Sequence, residues 1–233
     1  MLEVKNLISG YGKVTILQGV TLDVKQGEIV SIIGRNGVGK STFIKSLIGL
    51  NPVMKGDITY KEKSIRKTRP YERAWMGIGY VPQGHMVFPQ LTVKENLIMG
   101  ERINKLNAKK PDYDLIYEYF PILQERRDQK AGTMSGGQQA MLSIARVLTG
   151  NMELMLLDEP TEGVQPNIVD SIGEIILRIN KELGVTILLV EQHLGLIQTV
   201  SQRGYAMDKG RIVEGLSREQ IEDYDHIKKF LAI

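Results

Sequence analysis

The first stretch of the chain alternates apolar and polar positions. Leu2, Val4 and Leu7, then Ile16, Leu17, Val20, Leu22 and Val24, are interleaved with polar residues and predict two or three short strands, with Tyr11-Gly12 in the turn. Residues 29–33 form a continuous β-branched run bounded by Gly27 and Gly34, the pattern of a buried strand. After that loop, Phe43, Ile44, Leu47 and Ile48 recur at helical spacing in a helix predicted over 42–50. A strand over 56–60, a short helix from Pro70 to Trp75 closed by Gly77, and a strand over 78–81 stopping at Pro82-Gln83 follow. Beyond Gln83, residues 84–132 are rich in charge and helical in period, as in Leu91, Val93, Leu97 and Ile98, then Leu115, Ile116, Tyr119 and Phe120. Lys109-Lys110-Pro111-Asp112 divides them, with Pro111 or Asp112 opening a helix, and a later helix runs to Leu148 and ends at Gly150.

The last third alternates strand and helix. Apolar strands are predicted over 154–157 and 185–190. Between them lies a long helix over 166–183, with Ile168, Ile172, Ile175, Ile176 and Ile179 on one face. A helix over 194–202, a hairpin turning at Asp208-Lys209-Gly210, and a C-terminal helix carrying Ile221, Tyr224, Ile227 and Leu231 complete the chain. Strands alternating with helices imply a largely parallel sheet covered on both faces. With no repeat, linker or low-complexity tract, the pattern predicts one domain over 1–233: a core over about 1–83 and 151–233, with a helical lobe inserted over about 84–150.

Composition narrows the function classes. Of the 233 residues, 42% are hydrophobic and 24% charged, ordinary values for a globular chain. A formal net charge of +3, without a block of like charge, argues against a nucleic-acid partner. The locally basic stretch 61–73 reads as a solvated surface. The absence of cysteine excludes disulfides, thiol catalysis and thiolate metal sites, and His85, His193 and His226 are too scattered for a ligand set. The start of the sequence reads directly into a strand without a signal-peptide pattern, and its longest apolar runs fall far short of the ~20 residues of a membrane span. These readings predict a cytoplasmic chain whose link to a membrane would run through a partner.

Candidate chemistry begins at Gly34, Arg35, Asn36, Gly37, Val38, Gly39, Lys40, Ser41 and Thr42, a G-x-x-x-x-G-K-S loop between strand and helix. Glycines there let successive N–H groups point inward around an anion, and the helix N-terminus adds its positive end. Lys40 would reach the β- and γ-phosphates of a nucleoside triphosphate, and Ser41 would ligate Mg2+. The strand ending at Leu157 delivers Asp158, which suits Mg2+, and Glu159, which suits activation of the attacking water. Ser135-Gly136-Gly137-Gln138 opens a helix with Ser135 as N-cap and forms a second potential anion site.

In this order, together with Tyr80-Val-Pro-Gln83, these motifs resemble the ATP-binding cassette family along essentially the whole chain. The resemblance implies a phosphate-loop core of the RecA-like class, α/β with a largely parallel sheet, an N-terminal antiparallel β subdomain and the inserted helical lobe. It also implies ATP and Mg2+ as cofactors, Tyr11 stacking on adenine, and Gln83 touching both Mg2+ and the attacking water. Cassettes of this family pair head to tail, so Ser135, Gly136, Gly137 and Gln138 would close over the ATP of a second ATPase subunit. Two transmembrane permeases would hold the pair at the cytoplasmic face of the membrane, served indirectly by an extracytoplasmic substrate-binding protein. Two positions depart from the family pattern. The loop after Glu159 ends in Gln165 rather than aspartate, and the slot of the switch histidine holds Gln192, with His193 one place later, so either could act there. Glu191-Gln192, Met141-Leu142 and Glu162-Gly163 resemble the hydrophobic-amino-acid uptake subgroup. Arg35, Val38 and Thr161-Glu-Gly-Val-Gln-Pro166 point within it to the second ATPase of urea importers, with branched-chain amino acids as the alternative cargo. A soluble cassette acting in translation or DNA repair would carry tandem cassettes or a long coiled coil, and a phosphate-loop kinase would lack Ser135-Gly-Gly-Gln138.

Overall fold

The computed structural model describes residues 1–103 and 110–231. Two sheets stack around the loop at Gly34. The first is antiparallel, in the order β2-β1-β4-β5, from β1 (Leu2–Tyr11), β2 (Val14–Val24), β4 (Val53–Tyr60) and β5 (Lys63–Ser64). The second has the order β10-β9-β3-β8-β7-β6: β3 (Ile29–Ile33), β6 (Ile78–Val81), β7 (Leu154–Asp158), β8 (Thr186–Val190), β9 (Arg203–Asp208) and β10 (Arg211–Leu216). The pairs β3–β8, β3–β9, β7–β8 and β6–β7 are parallel, and only the β9–β10 hairpin is antiparallel.

Alternation along the buried strands sends successive side chains to opposite cores. Ile29, Met155, Leu157, Ile187 and Leu189 face a cluster that includes Leu97, Leu142 and Ile172. Val30, Ile32, Leu154, Leu156 and Leu188 face one that includes Val4, Leu22, Phe43 and Ile58. The helices bearing the first cluster are α3 (Val93–Glu101), α4 (Tyr113–Tyr119), α5 (Pro121–Glu125), α6 (Gly136–Leu148), α7 (Pro166–Leu183) and α8 (Leu194–Val200). On the other face lie α1 (Lys40–Leu47) and the antiparallel sheet, with α2 (Pro70–Trp75) beside them. A smaller cluster joins Ile33 and Ala206 to Ile221 of α9 (Arg218–Glu222) and Ile227 of α10 (Tyr224–Lys228).

Several boundaries differ from the sequence expectation. The N-terminal pattern forms two long strands rather than three short ones, because bulges shift the β1–β2 register between Val4 and Leu7 without ending it. Asn6 sits there at φ 48°, opposed to Gly56, where a Cβ would meet the Asn6 carbonyl oxygen at 2.3 Å. Tyr11 is consequently the last residue of β1, and β4 begins at Val53 rather than residue 56. The first helix starts at Lys40 and stops at Leu47, earlier at both ends. The helix after β8 ends at Val200, short of residue 202. The expected C-terminal helix is two, since Asp223 leaves helical geometry at ψ 104° and caps α10 by accepting from His226 N; Tyr224 is exposed rather than apolar lining. Lys109 lies outside the described residues, while Asp112 caps α4 by accepting from Leu115 N.

Candidate functional site

The strand order decides what meets at the carboxyl edge of the central sheet. β3 delivers the glycine loop, its neighbour β8 ends at Val190 before Glu191-Gln192, β7 ends in Asp158, and β6 ends before Pro82-Gln83. In-register pairing of Ile32 with Val190 and of Asp158 with Val190 places these ends side by side. A crevice at the carboxyl ends of parallel strands is where ligands bind in such sheets. A cavity of about 250 Å3 opens there, lined by Asn36, Gly37, Gly39, Lys40, Ser41, Thr42, Gln83 and Glu159 from the expected set, and by Ile16 from β2.

The loop's backbone is shaped for an anion. Gly39 is the N-cap of α1 at φ 113°, which an L side chain rarely adopts, and a Cβ on Gly34 would strike the Met207 carbonyl oxygen at 2.4 Å. Arg35 and Val38 occupy the outer turns; Val38 is buried, and Arg35 is exposed, pointing outside the cavity lining. Lys40, 4% exposed, donates from Nζ to the carbonyls of Gly34 (2.7 Å) and Arg35 (3.0 Å) and lies 3.3 Å from Glu159 Oε1. The cation is therefore held inside the loop, neutralised by an acid.

Around Glu159 the polar groups form one network. Gln192 Nε2 donates to Glu159 Oε1 and to Asn36 Oδ1, both at 2.7 Å, and Gln83 Nε2 donates to Glu159 Oε2 at 3.2 Å. Glu159 itself has φ 49°, left-handed for a side chain that gains nothing locally from it, with its N–H fixed to the Val190 carbonyl at 2.8 Å. Next to it, the fully buried Asp158 accepts from Ser41 Oγ at 3.0 Å and from the Tyr80 hydroxyl at 3.3 Å. Burial raises its pKa, and the neighbouring Glu159 carboxylate pushes the same way against those two hydrogen bonds. A buried carboxylate and a hydroxyl in contact are hard oxygen donors of the type Mg2+ takes, and Mg2+ commonly needs only one or two protein ligands beside substrate phosphates. Among the described residues no cluster of three or more acids and histidines could hold a metal unaided. Ser41 and Asp158 thus fit the ion as partners of a bound phosphate, with Gln83 at the cavity wall.

Geometry separates the two switch candidates. Gln192 is in the network, whereas His193 is the N-cap of α8, its Nδ1 accepting from Leu196 N at 3.2 Å. The expected result is that Gln192→Ala slows ATP turnover about tenfold or more, whereas His193→Ala leaves turnover near normal and costs about 1 kcal/mol of stability through the lost cap. Steady-state ATPase and denaturant unfolding on both variants check this; a slow His193→Ala enzyme with a normal Gln192→Ala one would reverse the assignment.

Ser135, Gly136, Gly137 and Gln138 are not brought to this cavity. Ser135 and Gln138 form a reciprocal capping box at the start of α6, and Gly137 presses on α7, where a Cβ would come within 2.7 Å of Ile168. Tyr11 also stays out of the lining: it is half exposed, and the neighbouring Asn51 and Thr42 side chains hold its phenol below the ordinary value. Sequence reasoning missed Tyr80 as a partner of Asp158 and Ile16 as a cavity wall. It also treated Glu191 only as a subgroup marker. Buried at 4% exposure, Glu191 accepts from Thr161 Oγ1 (2.7 Å) and from the N–H groups of Gln192 (2.7 Å) and His193 (3.0 Å), fixing the turn that aims Gln192.

Residues 17–162 match the family model described as ABC transporter. The chain belongs to the ABC transporter family. It is 41% identical over 213 residues, 91% of each chain, to the high-affinity branched-chain amino acid transport ATP-binding protein BraG of Pseudomonas aeruginosa. Over 229 residues, 98% of this chain and 97% of the relative, it is 34% identical to the probable branched-chain amino acid transport ATP-binding protein LivF of Archaeoglobus fulgidus. Its fold superposes with a TM-score of 0.82 on MJ1267 in the ADP conformation, an ATP-binding cassette of an ABC transporter, at 30% identity over all of this chain and 99% of that one. The cassette is an ATPase with a phosphate-loop α/β core.

Proposed function

We propose that this cassette is the ATP-hydrolysing subunit of an importer for branched-chain amino acids. The observation that carries the reading is its 41% identity to BraG across 91% of both chains, supported by its likeness to LivF. Urea as cargo is favoured only by Arg35, Val38 and residues 161–166, a few loop positions outside the cavity lining, and whole-chain similarity outweighs them.

The catalytic assignment follows from the network. Lys40 leaves the Gly34 and Arg35 carbonyls for the β- and γ-phosphates, Glu159 accepts the proton of the attacking water, and Gln83 and Gln192 orient that water and the γ-phosphate. Mg2+, held by Ser41 and Asp158, would supply charge neutralisation on the phosphate oxygens. Tyr11 would lie against adenine beside Ile16. Ser135, Gly136, Gly137 and Gln138, outside their own chain's cavity lining, would close on the ATP of a second cassette subunit. One of two permeases would dock in an apolar groove lined by Ile48, Leu50, Ala74, Ile103 and Val147, where Leu50 is 58% exposed, holding the cassette at the cytoplasmic face of the membrane. An extracytoplasmic binding protein would deliver cargo to those permeases.

Uptake of labelled leucine and labelled urea in a strain lacking this chain tests the cargo. Leucine uptake should fall and return with the wild-type chain but not with Lys40→Ala. Loss of urea uptake with leucine unchanged would overturn the proposal. Co-purification from membranes should bring down two hydrophobic permeases.

A further inference from the structure

Arg73, on α2, is 2% exposed, and no carboxylate among the described residues pairs with it. A guanidinium buried without an anion is rare, because desolvating a charge costs several kcal/mol unless its donors are satisfied. Here backbone oxygens satisfy them. Nη1 donates to the carbonyls of Ser46 (2.8 Å) and Leu47 (2.7 Å), Nη2 to that of Ile65 (2.7 Å), and Nε to Thr68 Oγ1 (3.0 Å). Ser46 and Leu47 are the last residues of α1, whose carbonyls have no partner within the helix. Gly49, at φ 81°, makes the approach possible, since a Cβ there would come within 3.1 Å of the guanidinium. Burial lowers the Arg73 pKa to about 10, still far enough above neutrality to keep the group charged.

Lys40 and Ser41 open the same helix at its other end. We propose that Arg73 is a positioning residue for the nucleotide, capping the negative end of α1 with a buried cation so that the opposite end presents its N–H groups to phosphate at a more positive potential. Eight residues at ~1.5 Å each put the guanidinium ~12 Å from the phosphate end. At an effective dielectric of ~20, a unit charge at that distance changes a binding constant by at most about tenfold per unit of ligand charge, and by much less once salt screens it. The groove's wall includes Arg73, so the same residue joins the surface beside α2 to the phosphate-binding end of α1.

The test measures affinity for ATP, ADP and adenosine by competition against a fluorescent ATP analogue, without divalent metal, on the full chain. Arg73→Met should weaken ATP about tenfold or more, ADP less, and adenosine not at all, while Arg73→Lys restores most of the ATP affinity. Circular dichroism checks folding, and Arg73→Gln is the neutral variant if Arg73→Met does not fold. A loss equal for all three ligands, an Arg73→Lys variant as defective as the neutral one, or unchanged ATP affinity would each overturn the assignment, because a merely structural role does not grade with ligand charge.

Discussion

Glu159→Gln is expected to bind ATP as tightly as the wild type or tighter while hydrolysing it about 10²–10⁴-fold more slowly, the range a positioned general base contributes. Both halves follow from contacts around one carboxylate. Glu159 lies 3.3 Å from Lys40 Nζ, with both side chains buried, so in the nucleotide-free chain the acid holds the cation that the phosphates need. Removing the negative charge releases Lys40 at no steric cost, since glutamine has the same shape. The hydrogen bonds from Gln83 and Gln192 can be kept by turning one of their amides, so the cavity wall stays in place. What is lost is the carboxylate proposed to take the proton from water. Equilibrium binding of ATP with single-turnover hydrolysis separates the two effects. Turnover above half the wild-type rate would remove Glu159 as the base, and weakened ATP binding would show that the Lys40–Glu159 pair is not competing with substrate. The same variant should accumulate a closed cassette pair with ATP, seen as a shift in elution volume.

The parts of this site that the sequence made legible are those whose geometry is local. Gly34 to Ser41 encode their own conformation, because the positive φ of Gly37 and Gly39 and the close approach at Gly34 demand glycine wherever the loop occurs. Helix α7 was readable to the residue, bracketed by Pro166 at its first position and Gly184 in the left-handed conformation after its last. Where the outcome depends on a partner strand, the pattern failed. The bulge at Asn6 exists because β1 pairs with β2 and β4 at once, and alternation along one strand does not report it. Gln192 and His193 were indistinguishable as neighbours in sequence, and only the start of α8 at Leu194 commits the histidine to capping. Glu191 is the clearest omission: its role lies in a bond to Thr161, thirty positions away on another loop, which no local pattern displays. Arg73 was lost among the basic residues of 61–73, whose shared composition hid the one member that folds inward.

Asp158→Asn should move stability and activity in opposite directions. Burial and the adjacent Glu159 carboxylate raise the Asp158 pKa in the folded chain. For an acid whose folded pKa lies above its unfolded value of ~3.9, the native state holds the extra proton between the two. Stability is then greatest below that window, declines as pH rises through it, and the loss persists at neutrality. Asparagine carries no charge to desolvate, keeps an oxygen to accept from one of the Ser41 and Tyr80 hydroxyls while its amide N–H groups donate to the other, and is not repelled by Glu159. The variant without nucleotide should therefore unfold at a higher temperature at neutral pH, by ~2–4 °C for each kcal/mol relieved in a chain of this size. Its advantage over the wild type should shrink as pH falls toward 4. Turnover should meanwhile drop about a hundredfold or more, because a neutral amide is a poor ligand for the cation that neutralises the phosphates. Thermal melts with ATP in EDTA and in Mg2+ tie the two observations together: the wild type gains an extra increment from Mg2+ that the variant lacks. A variant less stable than the wild type at neutral pH would mean that the Asp158 charge is compensated in the folded chain. Equal Mg2+ increments would move the metal to other ligands, leaving Ser41 and Asp158 bonded only to each other.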